Sequence, residues 1–166
     1  MPDDNVPNPV PIPPDYWNAA GAMYAYIFGN LVLQGIDVLG ESQLVGYPTQ
    51  FPSVSEVNWS DGTPNARYWA VWLLVRNFFA GDKMFQTSSS SSSLFALGFQ
   101  HQQQRRILLI NKLNQQQSLV IPGITLGFIT YCDTTTGSQK PPRQAINSDK
   151  IVVGPWAVVV IDMPNN

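Results

Sequence analysis

A chain of 166 residues, 44% of them apolar, is long enough for one domain, or for one domain and part of another, and can bury a real core. Charged side chains make up only 12% of it and the net charge is −2, so no basic face for nucleic acid is expected, and the pair Arg105-Arg106 is too small to alter that. With one cysteine, Cys132, and one histidine, His101, the chain has no intrachain disulfide, no cysteine-built metal site and poor support for a Ser-His-Asp triad. No cofactor and no metal ligand set is therefore expected.

In chain order, residues 1–14 contain six prolines and read as an extended, polyproline-like arm held by neighbouring chains. Asp15 then reads as the cap of a helix over residues 15–34 that stops at Gly35, with Ala19, Ala20, Gly21, Ala22 and Ala25 allowing close backbone approach. The apolar part of this segment, residues 19–33, is interrupted by Gly21, Gly29 and Asn30 and is shorter than a membrane span, and no leader pattern precedes it. Residues 36–39, with Ile36, Val38 and Leu39, read as a short buried strand. A long loop rich in Pro, Ser and aromatics covers residues 47–63. Residues 65–79 then predict a second helix, with Asn65 or Thr63 as its cap after Pro64 and Gly81 just beyond its end. Trp69, Trp72, Leu73, Arg76 and Phe79 fall at helical spacing, but Tyr68, Val71, Leu74, Val75 and Phe78 fill the rest of the circumference. Such a helix needs cover on more than one side.

From Lys83 the pattern changes to short apolar runs, at residues 84–87, 94–99, 106–113, 119–121, 124–133, 151–153 and 156–163. Breaks at Pro122-Gly123 and Gly154-Pro155 support an antiparallel sandwich of about seven or eight strands. Six serines at 88–93 and glutamines at 102–104 and 115–117 read as solvated loops and hairpin turns. The fold class expected is α+β: an arm over 1–14, a helix-strand-helix segment over 15–82, and a β-sandwich over 83–166. A lone strand between two apolar helices satisfies neither its own edges nor the helices, so the front half reads as a piece of a larger fold.

The ordered set AAGAMYAYIFGNLVLQGIDVLG, PNARYWAVWLLVRNFFAGDKMF, RRILLINKLNQQQSLVIPG and SDKIVVGPWAVVVIDM resembles the C-terminal third of retaining glycoside hydrolases of the heparanase and β-glucuronidase kind. The resemblance covers most of the chain after Tyr16. It implies the last helix-strand-helix of a TIM-type barrel followed by a β-sandwich, whose final strand carries Pro155, Trp156, Ala157, Val158 and Val159. Retaining enzymes need two carboxylates about 5 Å apart. In the family these lie upstream of the matched segments, so the resemblance assigns no catalytic residue here. Glu41, Gln43, Tyr47, Gln50 and Trp59 fall at or after the matched last barrel strand, where they could line a sugar site completed by other residues. Pairing of Glu41 with Asp37 or Glu56 is weighed against the ordinary reading of solvated or hydrogen-bonded loop residues, because chance pairs are common among eleven acids.

Asn58-Trp59-Ser60 matches the N-glycosylation pattern, which matters if the protein is secreted, as the resemblance implies. Two readings follow. One is a glycoside-hydrolase-like module without its own catalytic carboxylates, bracing or completing a carbohydrate-active barrel supplied by a further protein chain. The other is a non-catalytic structural protein whose apolar helices are covered by copies of itself in an extracellular assembly.

Overall fold

The computed structural model describes residues 12–41, 43–45, 54–58, 61–85 and 87–164. Two helices come first, α1 (Pro14–Leu33) and α2 (Ala66–Asn77), followed by eight strands. The strands are β1 (Lys83–Phe85), β2 (Leu94–His101), β3 (Gln104–Asn111), β4 (Gln117–Val120), β5 (Phe128–Cys132), β6 (Arg143–Ala145), β7 (Lys150–Val153) and β8 (Val158–Asp162). The expected α+β class is therefore observed, with helices first and an antiparallel β region after them.

Local chemistry sets the helix ends. Pro13 occupies the N-cap position of α1 and Pro14 the first turn, where the missing N–H costs nothing; Asp15 is inside the first turn, favouring the positive end of the dipole instead of capping it. Gly35, at φ 83°, ends α1 by donating to the Val32 carbonyl at 3.0 Å while Ile36 N–H reaches Leu31 at 3.1 Å, a left-handed C-terminal cap. The Asn65 side chain caps α2 as expected, accepting from the N–H groups of Arg67 at 3.0 Å and Tyr68 at 3.2 Å.

Six strands form one antiparallel sheet in the order β1-β2-β3-β8-β5-β6, and β4 and β7 form a separate two-stranded ribbon. Alternation along the central strands sends their side chains into two cores. Leu97, Phe99, Leu108, Ile110, Cys132, Val158 and Val160 meet Ala22, Ala25, Ala70, Leu73 and Leu74 of the helices. On the opposite face Leu94, Leu109, Val159 and Ile161 meet Val153 and the loop residues Ile124 and Ile146, with Leu119 and Ile151 packed alongside. The order of layers is thus helices, large sheet, ribbon. The helices approach each other closely at Gly21, where a Cβ would stand 2.8 Å from that of Ala70. Phe78, just past α2, stacks on Phe99 at 3.8 Å between ring centroids and ties the helix end to the sheet.

Two local expectations are corrected, and a third lies mostly outside the described residues. Residues 36–39 form no ladder: Ile36 and Val38 are exposed, Val38 at 84%. A parallel-type strand is stable only between neighbours, and among the described residues it has none. The run 124–133 splits into a turn and β5, because Leu126 adopts φ 72° and Gly127 lies against the Asp162 carbonyl. The arm over 1–14 lies outside the described residues as far as residue 11, and its end, Pro14, already belongs to α1. Ser88, Ser89 and Ser90 are exposed between β1 and β2, and Gln102, at φ 53°, makes the β2-β3 turn.

Candidate functional site

The polar cluster nearest the residues singled out in the sequence lies where the segment after α1 meets the start of α2. Arg67, in the first turn of α2, pairs with the Glu41 carboxylate and donates a second bond to the Val54 carbonyl. Both side chains of the pair are 14% exposed. Glu56 stands beside them, 4% exposed, its pKa raised by burial and by the charge of Glu41 and held back by Arg67. Tyr24, on α1, completes the group; burial and the two glutamates raise its phenol pKa. The backbone fixes this arrangement. Asn65 N–H donates to the Glu56 carbonyl at 2.9 Å, its side-chain amide donates to the Ser55 carbonyl at 2.8 Å, and Val57 bridges to both Val45 and Pro64.

Two carboxylates and a phenol around one guanidinium can hold a proton or a hydroxyl-bearing ligand in place. Among them, the Glu41 carboxylate is engaged by Arg67. Of the residues expected at a sugar site, Glu41 belongs to this cluster. Gln43 is exposed and left-handed at φ 66°. Tyr47, Gln50 and Trp59 lie outside the described residues. Asp37 is exposed. Asn58 is exposed in a turn that its backbone closes with Thr63 and Gly62 at 2.8 and 2.9 Å, the kind of surface position a glycan acceptor needs.

Sequence reasoning missed Arg67 and Tyr24. A signal was present for Arg67: a cation in the first turn of a helix opposes the dipole and needs carboxylates nearby to offset it. A hydrogen bond joins His101 Nδ1 to Asp82 Oδ1 at 2.6 Å, with Asp82 also accepting from the Phe79 N–H at 2.9 Å; it fastens the segment after α2 to β2. No helix among the described residues is long and apolar enough to cross a membrane.

Neither a protein-family model nor a curated protein matches this chain. Solved structures do. It is similar to a family 30 subfamily 8 glycoside hydrolase, a xylanase from Clostridium acetobutylicum, with a TM-score of 0.62 at 10% identity over 89% of this chain and 39% of that one. The catalytic domain of a family 30 xylanase from Talaromyces cellulolyticus gives 0.60 at 17% identity over 87% and 35%. A family 86 β-porphyranase from Bacteroides plebeius gives 0.61 at 12% identity over 96% and 33%. The chain spans about a third of the length of these structures, and at such identities the likeness is one of fold: two helices and an antiparallel β region are shared with a minority portion of glycoside hydrolases.

Proposed function

We propose that this chain is a non-catalytic module of a glycoside-hydrolase-like protein of the heparanase and β-glucuronidase kind, carrying neither catalytic carboxylate and bracing a carbohydrate-active barrel that further polypeptide supplies. The observation that carries this reading is the outer surface of the helices. Met23 is 61% exposed, Val75 68%, and Ile27 and Leu33 are also exposed on the helices, outside the core that the helices share with the sheet. Several hundred Å² of wet apolar surface forgoes on the order of 10 kcal/mol at about 25 cal/mol per Å², so these residues read as the seat of a covering layer. In the resembled family that layer is the rest of the barrel. The fold shared with about a third of each hydrolase supports the same reading.

On this reading the cluster of Glu41, Glu56, Arg67 and Tyr24 orders the loop segment that follows the last barrel position. Glu41, Gln43, Tyr47, Gln50 and Trp59 would edge a sugar site completed by the missing portion. A secreted location accords with an exported protein from Bacteroides fragilis among the similar structures, and Asn58 is the glycosylation candidate. A second reading, copies of the same chain covering one another in a structural assembly, is favoured by the same exposed helix face.

Sedimentation of the purified chain and of a Met23→Ser/Ile27→Ser/Val75→Ser variant tests the shared premise. Association of the native chain at micromolar concentration, relieved in the variant, is expected; a compact native monomer overturns it. Closed homo-oligomers of fixed size would favour the structural reading over the barrel. Turnover of 4-nitrophenyl β-glucuronide or β-xyloside by the purified chain, lost in Glu56→Gln, would overturn the non-catalytic assignment.

A further inference from the structure

The serine run at 88–93 takes no part in the helix face or in the carboxylate cluster, and its place in the large sheet is specific. β1 covers β2 only opposite Gly98, Phe99 and Gln100. Before those residues the rim of β2 is met by the chain that follows β1, where the Thr87 hydroxyl donates to the Ala96 carbonyl. The tract that runs from Thr87 to the start of β2 therefore lies at the edge of the six-stranded sheet, beside the exposed Met84 and Phe85. A rim short of strand partners and carrying exposed apolar side chains invites pairing with other chains unless something blunts it. The seven successive hydroxyls of Thr87 to Ser93 are not equivalent there. Those of alternate residues are tied into the loop: Thr87 to Ala96, Ser89 accepting from the Ser91 N–H at 3.1 Å, and Ser91 bonded to the Ser93 hydroxyl at 2.6 Å. The Ser93 carbonyl accepts from the Lys112 N–H at 2.9 Å, which anchors the end of the loop on the strand side. Ser88, Ser90 and Ser92 stand between the tied residues, exposed, and their hydroxyls make no hydrogen bond among the described residues.

We propose that Ser88, Ser90 and Ser92 are acceptors for O-linked sugar. The donor is a sugar esterified to phosphate, as in a nucleotide sugar. The serine Oγ bonds to the anomeric carbon and the bond from that carbon to the phosphate oxygen breaks. The phosphate leaves with its electron pair, the hydroxyl proton passes to a base of the transferase, and nothing is oxidised or reduced. Sugars on alternate residues set bulky, uncharged, hydrated groups on the rim where backbone pairing with a further chain would otherwise begin. Phosphate, the competing modification of the same hydroxyls, fits less well. No Asp, Glu, Lys or Arg stands between Lys83 and Arg105, and Lys150 is the one cation lining the hollow beside the serines, too little to offset a phosphate on each. The proposal rests on the secreted location inferred above, since that route supplies both transferase and donor.

The full chain is sent through the secretory route of cultured animal cells behind a cleavable leader, and fragmentation mass spectrometry of its digest places sugar residue by residue. Sugar on Ser88, Ser90 and Ser92, with Thr87, Ser89, Ser91 and Ser93 bare, is expected. Ser88→Ala/Ser90→Ala/Ser92→Ala should lose all sugar from the tract, and Ser89→Ala/Ser91→Ala should keep it; the map of the native chain needs neither variant to fold. A bare tract on folded chain recovered from the medium, sugar spread evenly over the seven hydroxyls, or phosphate in place of sugar would each overturn the proposal. The leader forces export, so a bare tract counts against the serines and not against the location. The location fails on a different result, retention of the native chain inside its own cells.

Discussion

Replacing Arg67 with Met removes the one cation between two glutamates. Both side chains of the Arg67–Glu41 pair are 14% exposed, and Glu56 beside them is 4% exposed, so water can compensate only in part. Breaking a buried pair by removing one partner costs about 3–5 kcal/mol, and the residual exposure places this case at the lower end, about 3 kcal/mol at pH 7. For a chain of this size that corresponds to a fall of roughly 6–12 °C in melting temperature. The pH dependence gives a sharper criterion. In the native chain the Glu56 pKa is raised by burial and by Glu41, so the folded state binds more protons than the unfolded one above the ordinary glutamate range, and this residue lowers stability as pH rises through that window. Without Arg67 the window widens upward. Urea unfolding at several pH values should therefore show a deficit that is largest near pH 8 and shrinks toward pH 4, as Glu56 takes up a proton. A deficit below about 1 kcal/mol at pH 7, or one independent of pH, would refute the cluster as described.

Val159, 1% exposed in the central strand β8, should not tolerate Asp: a buried unpaired charge costs at least about 4 kcal/mol, and an unchanged urea midpoint would show that β8 is not central. Gly127→Ala would set a Cβ 2.3 Å from the Asp162 carbonyl oxygen and 2.9 Å from that of Ile124, both backbone atoms that cannot step aside; a loss of about 2 kcal/mol, with faster amide exchange along the β5-β8 ladder, is expected in equilibrium and exchange measurements. Asp149 accepts from the N–H groups of Gly123 and Thr125, each at 3.0 Å, and from the Thr125 hydroxyl at 2.6 Å, which hold its pKa down at about 2. Its stabilisation is present above the ordinary Asp pKa and is lost as pH falls toward 2, so Asp149→Asn should lower the melting temperature at pH 7 and leave it unchanged near pH 2; equal losses at both would contradict a stabilising role for these charge-assisted bonds.

Much of the secondary structure was legible because its punctuation is chemical. Asn65 and Gly35 mark helix ends through a side-chain acceptor and left-handed backbone, and these signals survive without tertiary context. By contrast, α2 stops at Asn77 with an extended Phe78, short of the end expected at 79 with Gly81 as its cap. The apolar runs that form β2, β3 and β8 were equally plain. What sequence could not show is which sheet a strand joins. The runs at 119–121 and 151–153 look like any others, yet they pair only with each other, because partner choice depends on contacts between residues about thirty positions apart. The apolar run 36–39 misled for the converse reason: its composition fits a buried strand, while ladder formation requires neighbours that the described residues do not provide. The turn at 124–127 was hidden inside an apolar stretch, since a left-handed Leu126 has no composition signal. At the candidate site, Glu41 was legible as a loop-edge acid and Glu56 as one of its possible partners, but the folding of the segment 54–57 against α2 is what sets Glu56 there, and Tyr24 arrives separately on α1.

The single thiol lies within the layer that the helices share with the large sheet. Cys132 is 2% exposed and its pKa is pushed up to about 12 by burial and by the neighbouring Asp133, so in the closed chain it is neither ionised nor reachable. That makes it a clock for one event. A thiol reagent added in excess can react only while α1 and α2 are lifted from the sheet, and the modification rate therefore counts how often the helical layer opens, even when the strands stay paired. A partner seated on the outer helix face would slow that clock.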